Sequence, residues 1–259
     1  MIFKPGCKLY LLMLFSLLSI AIALDSISVV ASEKPRIILI FDDFGFYPPK
    51  SSLIQGFLEI EEPFAVSIIP GLEYSTQLAQ VFHRANKEIV IHMPMESVAA
   101  APTESLTLRA SMESFEIRGL IYQSIFDIPC ARGMSNHQGS KFTASYDAMN
   151  LLIDVLADTN MYFIDSLTSP KSIAYRLCRQ RKIPALRRDI FLDTNLEPEE
   201  TIAGRFCQLV AVAKKRGYAV GIGHHYRETL FEFKEFLDSP LSDEIELILP
   251  SELLGLSND

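Results

Sequence analysis

Two spacings of apolar residues alternate along the chain. Short runs of branched and aromatic residues occupy 37–41, 64–69, 88–91, 131–134, 161–164, 185–188, 218–222 and 244–249. Runs of this length and composition predict strands, and those apolar throughout predict strands buried on both faces. Between them the apolar positions repeat every three to four residues. Leu53, Ile54, Phe57 and Leu58 mark a helix over 48–60; Leu78, Val81, Phe82 and Ala85 mark one over 74–86. Ile117, Leu120, Ile121 and Ile125 follow the same rule in a helix beginning near 111, as do Met149, Leu152, Ile153 and Leu156 over 145–158. Further helices are predicted over 172–181, over 199–216 with Gly217 as the stop, and over 227–237. The segment 97–108, rich in Ala, Pro, Ser and Thr, has no period and predicts a long surface loop that lines a site.

Strand and helix thus alternate from one end to the other, with about eight strands, which predicts a parallel α/β fold. Right-handed crossovers place the helices outside a curved or closed sheet. The expected architecture is a single-domain (β/α) barrel, distorted or incompletely closed, with mostly parallel strands. An open doubly wound sheet is the alternative, but no GxGxxG or Walker loop follows the first strand, which speaks against a nucleotide-binding sheet.

Composition adds boundaries. At 259 residues and 49% apolar the chain suffices for one large core. A net charge of −8 without a basic block excludes nucleic acid as the main partner. Lys4 and Lys8 precede an apolar run, 9–24, and small residues follow. This is the layout of a secretory signal peptide over 1–31, cut after Ala23 or Ala31, with an uncleaved anchor as the alternative. The barrel domain is then 32–259, exported, with no membrane span after cleavage. Cys7 falls in the signal; Cys130, Cys178 and Cys207 lack metal-type spacing and are expected to be buried small apolar residues, although one disulfide is open to them.

The candidate chemistry gathers at strand ends. The stretch IILIFDDFGF, 37–46, carries Asp42 and Asp43 where its strand stops. In barrels and doubly wound sheets the carboxyl ends of strands hold the chemistry. On an extended chain two adjacent carboxylates point to opposite sides, so they can take different tasks. Alone, such a pair equally serves to cap the next turn. Four of the five histidines, His92, His137, His224 and His225, also fall at or just after strand ends, as do Asp165, Asp189 and Asp193. His83, mid-helix, reads as a surface residue. Two imidazoles and a carboxylate suit a divalent metal such as zinc, with positions open for water.

The blocks IFDDFGF, IHMPMES, SNHQGSKFTA, FIDSLTS, RRDIFLDT and GIGHHYRETL, in this order, resemble the divergent polysaccharide deacetylase family. This is a distant branch of the metal-dependent enzymes that remove acetyl groups from chitin, peptidoglycan and related glycans. The resemblance spans roughly 35–250. It implies that Asp42 is the general base and that Asp43 binds the metal. It implies His92 as a metal-binding imidazole and His137 as the second, and His224 as the general acid. Two departures stand out. The usual HxxxH is absent, with Glu96 four residues after His92 as an alternative ligand or supporting partner. The arginine–proline motif that steadies the base is also absent, leaving Lys141, Arg187 or Arg188 to substitute. Asp165 would orient His224 or contact the sugar; His225 would be a neighbour only.

The resemblance therefore implies an exported, periplasmic, zinc-dependent carbohydrate deacetylase acting on a glycan. The alternative is a carbohydrate-binding or scaffold protein of the envelope on the same fold. A third reading, a glycoside hydrolase with two carboxylates, predicts new reducing ends and no metal.

Overall fold

The computed structural model describes residues 34–99, 103–194 and 196–256. The expected signal segment, with Cys7, lies outside the described residues. Among those described, no helix is long and apolar enough to cross a membrane.

Among the described residues nine strands form one parallel sheet: β1 Arg36–Phe44, β2 Ala65–Ile68, β3 Glu88–Met95, β4 Ala131–Gln138, β5 Tyr162–Asp165, β6 Ala185–Arg187, β7 Ile190–Phe191, β8 Tyr218–His224 and β9 Glu246–Leu247. Their order is β6-β5-β4-β3-β2-β1-β8-β7, with β9 paired to the start of β1. The two outermost strands, β6 and β7, are consecutive in the chain, separated by Arg188 and Asp189 alone. Arg188 N donates to Asp165 O on one side, and Asp189 N donates to Val220 O on the other. One segment thus switches partners from β5 to β8 and brings the two edges of the curled sheet together. The strand expected over 185–188 ends at Arg187 for this reason, a second short strand follows it at Ile190–Phe191, and the closure is the irregular one the pattern implied.

Helices α1 Ser52–Leu58, α2 Ser75–Arg84, α3 Ser114–Asp127, α4 Tyr146–Thr159, α5 Ala174–Gln180, α6 Ile202–Arg216, α7 Arg227–Leu237 and α8 Pro250–Leu253 follow the strands. Their ends are set by capping chemistry. Ser51, Ser145 and Thr201 cap α1, α4 and α6 by accepting a backbone N–H, and Gly217 ends α6 in the left-handed region.

Alternation along the strands sorts two cores. Ile37, Leu39, Phe41, Val66, Ile91 and Phe163 face outward into the layer beneath the helices. There Phe41 meets Phe57, Phe64 and Phe233 at ring distances of 5.0, 5.5 and 5.0 Å. Ile38, Ile40, Ala65, Val90, Tyr162, Ile164, Leu186, Val220 and Ile222 fill the inside, and Ile248 joins them from the C-terminal segment. The interior is therefore packed, not a pore. Tyr162 Oη donates to Glu88 Oε1 at 2.6 Å, and Ser251 N donates to the same oxygen at 3.0 Å, tying α8 to the amino-terminal end of the strands.

Cys178 is buried as expected, Cys130 is half-buried, and Cys207 is exposed; all three are free thiols. The expectation of burial fails at Cys207, which lies on the solvent side of α6.

Candidate metal centre

The inward columns change character as they climb. Ile38 and Ile40 are followed by Asp42; Ala65 by Ser67; Val90 by His92; Gly133 by Ser135 and His137; Val220 and Ile222 by His224. Period-two alternation alone carries these polar side chains to the carboxyl end of the barrel. Register aligns them: Asp42 on β1 pairs with His224 on β8, and His92 on β3 pairs with Ser135 on β4.

Asp43 breaks the alternation. The β1–β2 register shifts between Phe41 and Phe44, and Asp43 takes φ 69°, a left-handed conformation that Asp tolerates better than most residues. The two carboxylates do not diverge as an extended chain would have them. Both face His92: Asp42 Oδ2 lies 3.6 Å and Asp43 Oδ1 3.2 Å from its Nε2. His137 Nδ1 is 2.9 Å from the same Asp43 oxygen. Asp43, His92 and His137 each offer one ligand atom, all within 4.8 Å of one another.

The donor chemistry fits a divalent cation. Asp43 Oδ1 is buried and, despite its two close nitrogens, has no aligned hydrogen-bond donor among the described residues. Short separations without alignment are expected of atoms that converge on a common point. His92 Nδ1 is bound to Ser135 Oγ at 2.7 Å, and Ser135 Oγ to Ser67 Oγ at 2.8 Å, so Nε2 is the nitrogen left for a metal. His137 Nε2 lies 3.4 Å from Glu104 Oε1, which leaves Nδ1 toward Asp43. The set of one carboxylate and two imidazoles suits zinc and related ions.

The electrostatics follow from burial and pairing. Burial alone would raise the carboxyl pKa of Asp43, but His137 and His92 outweigh it and hold it far below the usual range. Burial would lower His137; Asp43 and Glu104 instead push it up to about 10. Burial raises Asp42, with His92 and His224 opposing. His224 Nδ1 meets Asp193 Oδ1 at 2.7 Å, and this carboxylate raises the imidazole against the burial that would lower it. Asp193 Oδ2 accepts from His224 N and from Thr229 Oγ1, both at 2.6 Å. His224 Nε2 then faces Asp43 Oδ2 at 3.9 Å.

Sequence reasoning named Asp42, Asp43, His92, His137 and His224, and the structure gathers all five in one cluster. It misplaced the support. Asp165, expected to orient His224, is spent on its own loop: it accepts from Leu167 N, Ser172 Oγ and Tyr175 N. Asp193 orients His224 instead. Glu96 takes Ala110 N and Lys141 Nζ, and this exposed pair stands apart from the triad. Arg187 lies against Tyr175, and Arg188 donates to the carbonyls of Ser166 and Leu167, so neither steadies Asp42. Glu104 was missed altogether; it comes from the aperiodic loop, where only the loop's length hinted at a role. His225 is a neighbour, packed on Phe44 and Tyr47 with Nδ1 toward Asp42 O, and His83 is exposed.

A family model described as divergent polysaccharide deacetylase matches residues 39–254. The protein YibQ of Escherichia coli (strain K12) is 29% identical over 220 residues, 85% of this chain and 67% of YibQ. Among solved structures, ATU2773 from Agrobacterium tumefaciens C58 superposes with TM-score 0.78 at 18% identity, covering 86% of this chain and 90% of that one. A mutant of BA3943, a CE4 family pseudoenzyme, superposes with TM-score 0.52 at 12% identity, covering 86% of this chain and 68% of that one. At such identities the two structures share the fold with this chain and nothing finer.

Proposed function

Because the chain belongs to the divergent polysaccharide deacetylase family, we propose that it is a metal-dependent carbohydrate deacetylase, exported to the periplasm, that hydrolyses acetyl groups from a glycan. The observation that carries this reading is the triad Asp43, His92 and His137 flanked by Asp42 on one side and the His224–Asp193 pair on the other. A divalent cation held there, zinc by the donor set, would act as Lewis acid toward the acetamide carbonyl. Asp42 would accept a proton from the attacking water. Its burial raises its basicity, while His92 and His224 keep it able to ionise. His224, its imidazolium favoured by Asp193, would give a proton to the departing amine as the C–N bond breaks. The products are acetate and a free amino sugar. Export rests on the layout of residues 1–31.

A second reading is a carbohydrate-binding protein of the envelope that retains the metal site. It is favoured by Asp42, whose charged neighbours are His92, His224 and Asp43 and which has no arginine bonded to it among the described residues. Acetate release from acetylated chitin or peptidoglycan oligosaccharides, assayed with added zinc, separates the two. The deacetylase reading predicts release that Asp42→Asn abolishes without loss of metal, and that Asp193→Asn cuts on the order of 100-fold. Glycan binding without acetate would leave the second reading in front.

A further inference from the structure

Arg188 stands on the same inward column as Leu186, at the junction where the chain passes from β6 to β7. Its guanidinium is half-buried and fixed on two sides. Nε donates to Ser166 O at 2.7 Å and Nη2 to Leu167 O at 3.0 Å, and the cation lies 3.7 Å from the centre of the Phe191 ring. These partners are two neutral carbonyls and an aromatic face. No carboxylate among the described residues forms an ion pair with it. Asp165, the nearest acid in the chain to its carbonyl partners, is already saturated by Leu167 N, Ser172 Oγ and Tyr175 N. A guanidinium has five N–H donors in a planar fork, and the two spent here lie along its Nε side. The outer edge, with Nη1 and the remaining Nη2 hydrogen, keeps its donors.

The location ties this cation to the site. Phe191 stacks on His224 at 6.1 Å and 24°, and His224 stacks on Tyr226 at 5.4 Å and 20°. Arg188, Phe191, His224 and Tyr226 thus form one row, with the imidazole of His224 inside it. The hydroxyl of Ser166, whose carbonyl Arg188 holds, is buried and has no hydrogen-bond partner among the described residues. A guanidinium held along one edge, one ring away from His224, with Asp165 and Asp189 near but neither bonded to it, is arranged for a planar anion on its other edge. This chain is acidic overall, at −8, so an anionic ligand would be held by a local cation and not by the general field.

We infer that Arg188, backed by Phe191, forms a carboxylate subsite, so that the substrate is an acidic glycan whose carboxyl-bearing sugar lies next to the acetylated residue. The inference rests on the deacetylase reading and names its substrate class. The guanidinium supplies a bidentate clamp, and Phe191 the wall that fixes the angle. Positioning the acidic sugar there places its acetylated neighbour toward His224 and the triad.

The test compares two tetrasaccharides on the zinc-supplemented protein by calorimetry: one of N-acetylglucosamine alone, and one alternating N-acetylglucosamine with glucuronate. The expected result is binding of the acidic chain at least about tenfold tighter, the worth of one charge-assisted clamp. That preference should vanish in Arg188→Gln, while affinity for the neutral chain stays the same. Arg188→Lys, which keeps the charge but not the fork, should retain only part of it, and it stands in if the Gln variant does not fold. Equal binding of both chains by the unaltered protein, or a preference that survives Arg188→Gln, would overturn the subsite and leave the deacetylase reading intact. No binding of either chain would sink the glycan reading, and this inference with it.

Discussion

His137 stands between two carboxylates, Asp43 and Glu104, and without metal it answers them by holding a proton, its pKa pushed up to about 10. A metal ligand must be the neutral imidazole, so taking up a cation at neutral pH expels that proton. The proton competes less as pH rises toward the imidazole pKa, so affinity climbs with pH. Zinc or cobalt titrations between pH 6.5 and 8.5 should show Kd falling by about tenfold per pH unit. Calorimetry in buffers of different ionisation enthalpy should report about one proton released. A pH-independent Kd would mean that His137 is not a ligand. At this scale the sequence was informative wherever a titratable residue followed an apolar run. Asp42, Asp43, His92, His137 and His224 all do so. It could not rank Asp165 against Asp193, since both are acids after strands. What decides is that β7, leading to Asp193, lies beside β8 in space, whereas Asp165 ends β5 across the barrel. Glu104 carried no local signal.

Elements hold these residues in place through contacts that leave little tolerance. Gly133 on β4 faces inward where the Tyr162 ring of β5 lies flat on the backbone. A Cβ there would meet ring carbon Cε2 at 2.2 Å. Tyr162 cannot give way freely, because its hydroxyl is bound to the buried Glu88. Gly133→Ala should therefore destabilise by about 2–3 kcal/mol or more. In a domain of this size that corresponds to a Tm lower by roughly 5–10 °C in a thermal melt. An unchanged Tm would show that the ring is not seated against β4. Four residues above, the same strand carries His137, so the variant should also loosen the metal. The pattern of apolar residues placed nearly every element, but it cut β3 and β4 short. In the upper halves, HMPM and SNHQ, the inward positions His92, Ser135 and His137 are polar because they line the site, while Met93 and Met95 stay in the outer core, so the run of apolar residues is broken where the site begins. β9, two residues long, ran shorter than its apolar segment because it only fills the space beside the beginning of β1.

For the whole molecule, the sheet closes through one segment, 185–191, that changes partners midway, and this explains both the irregularity and the site. The switch puts Arg188, Phe191 and Asp193 on the rim beside β8, so His224 is flanked by its acid and its stacking ring. The five clustered side chains come from β1, β3, β4 and β8, all delivered to one end by parallel strands of matched register. The barrel, its parallel order and the end that carries the chemistry were legible from strand–helix alternation. The partner switch was not, because Arg188 and Asp189 look like a continuation of the strand. Metal binding by the Asp43–His92–His137 triad is what deacetylation would require first. Purified protein stripped of metal and titrated with zinc should take up about one equivalent. The His92→Ala and His137→Ala variants should each lose that uptake while keeping their thermal transition. Failure of the unaltered protein to bind zinc, cobalt or manganese, or one equivalent retained by both variants, would contradict it.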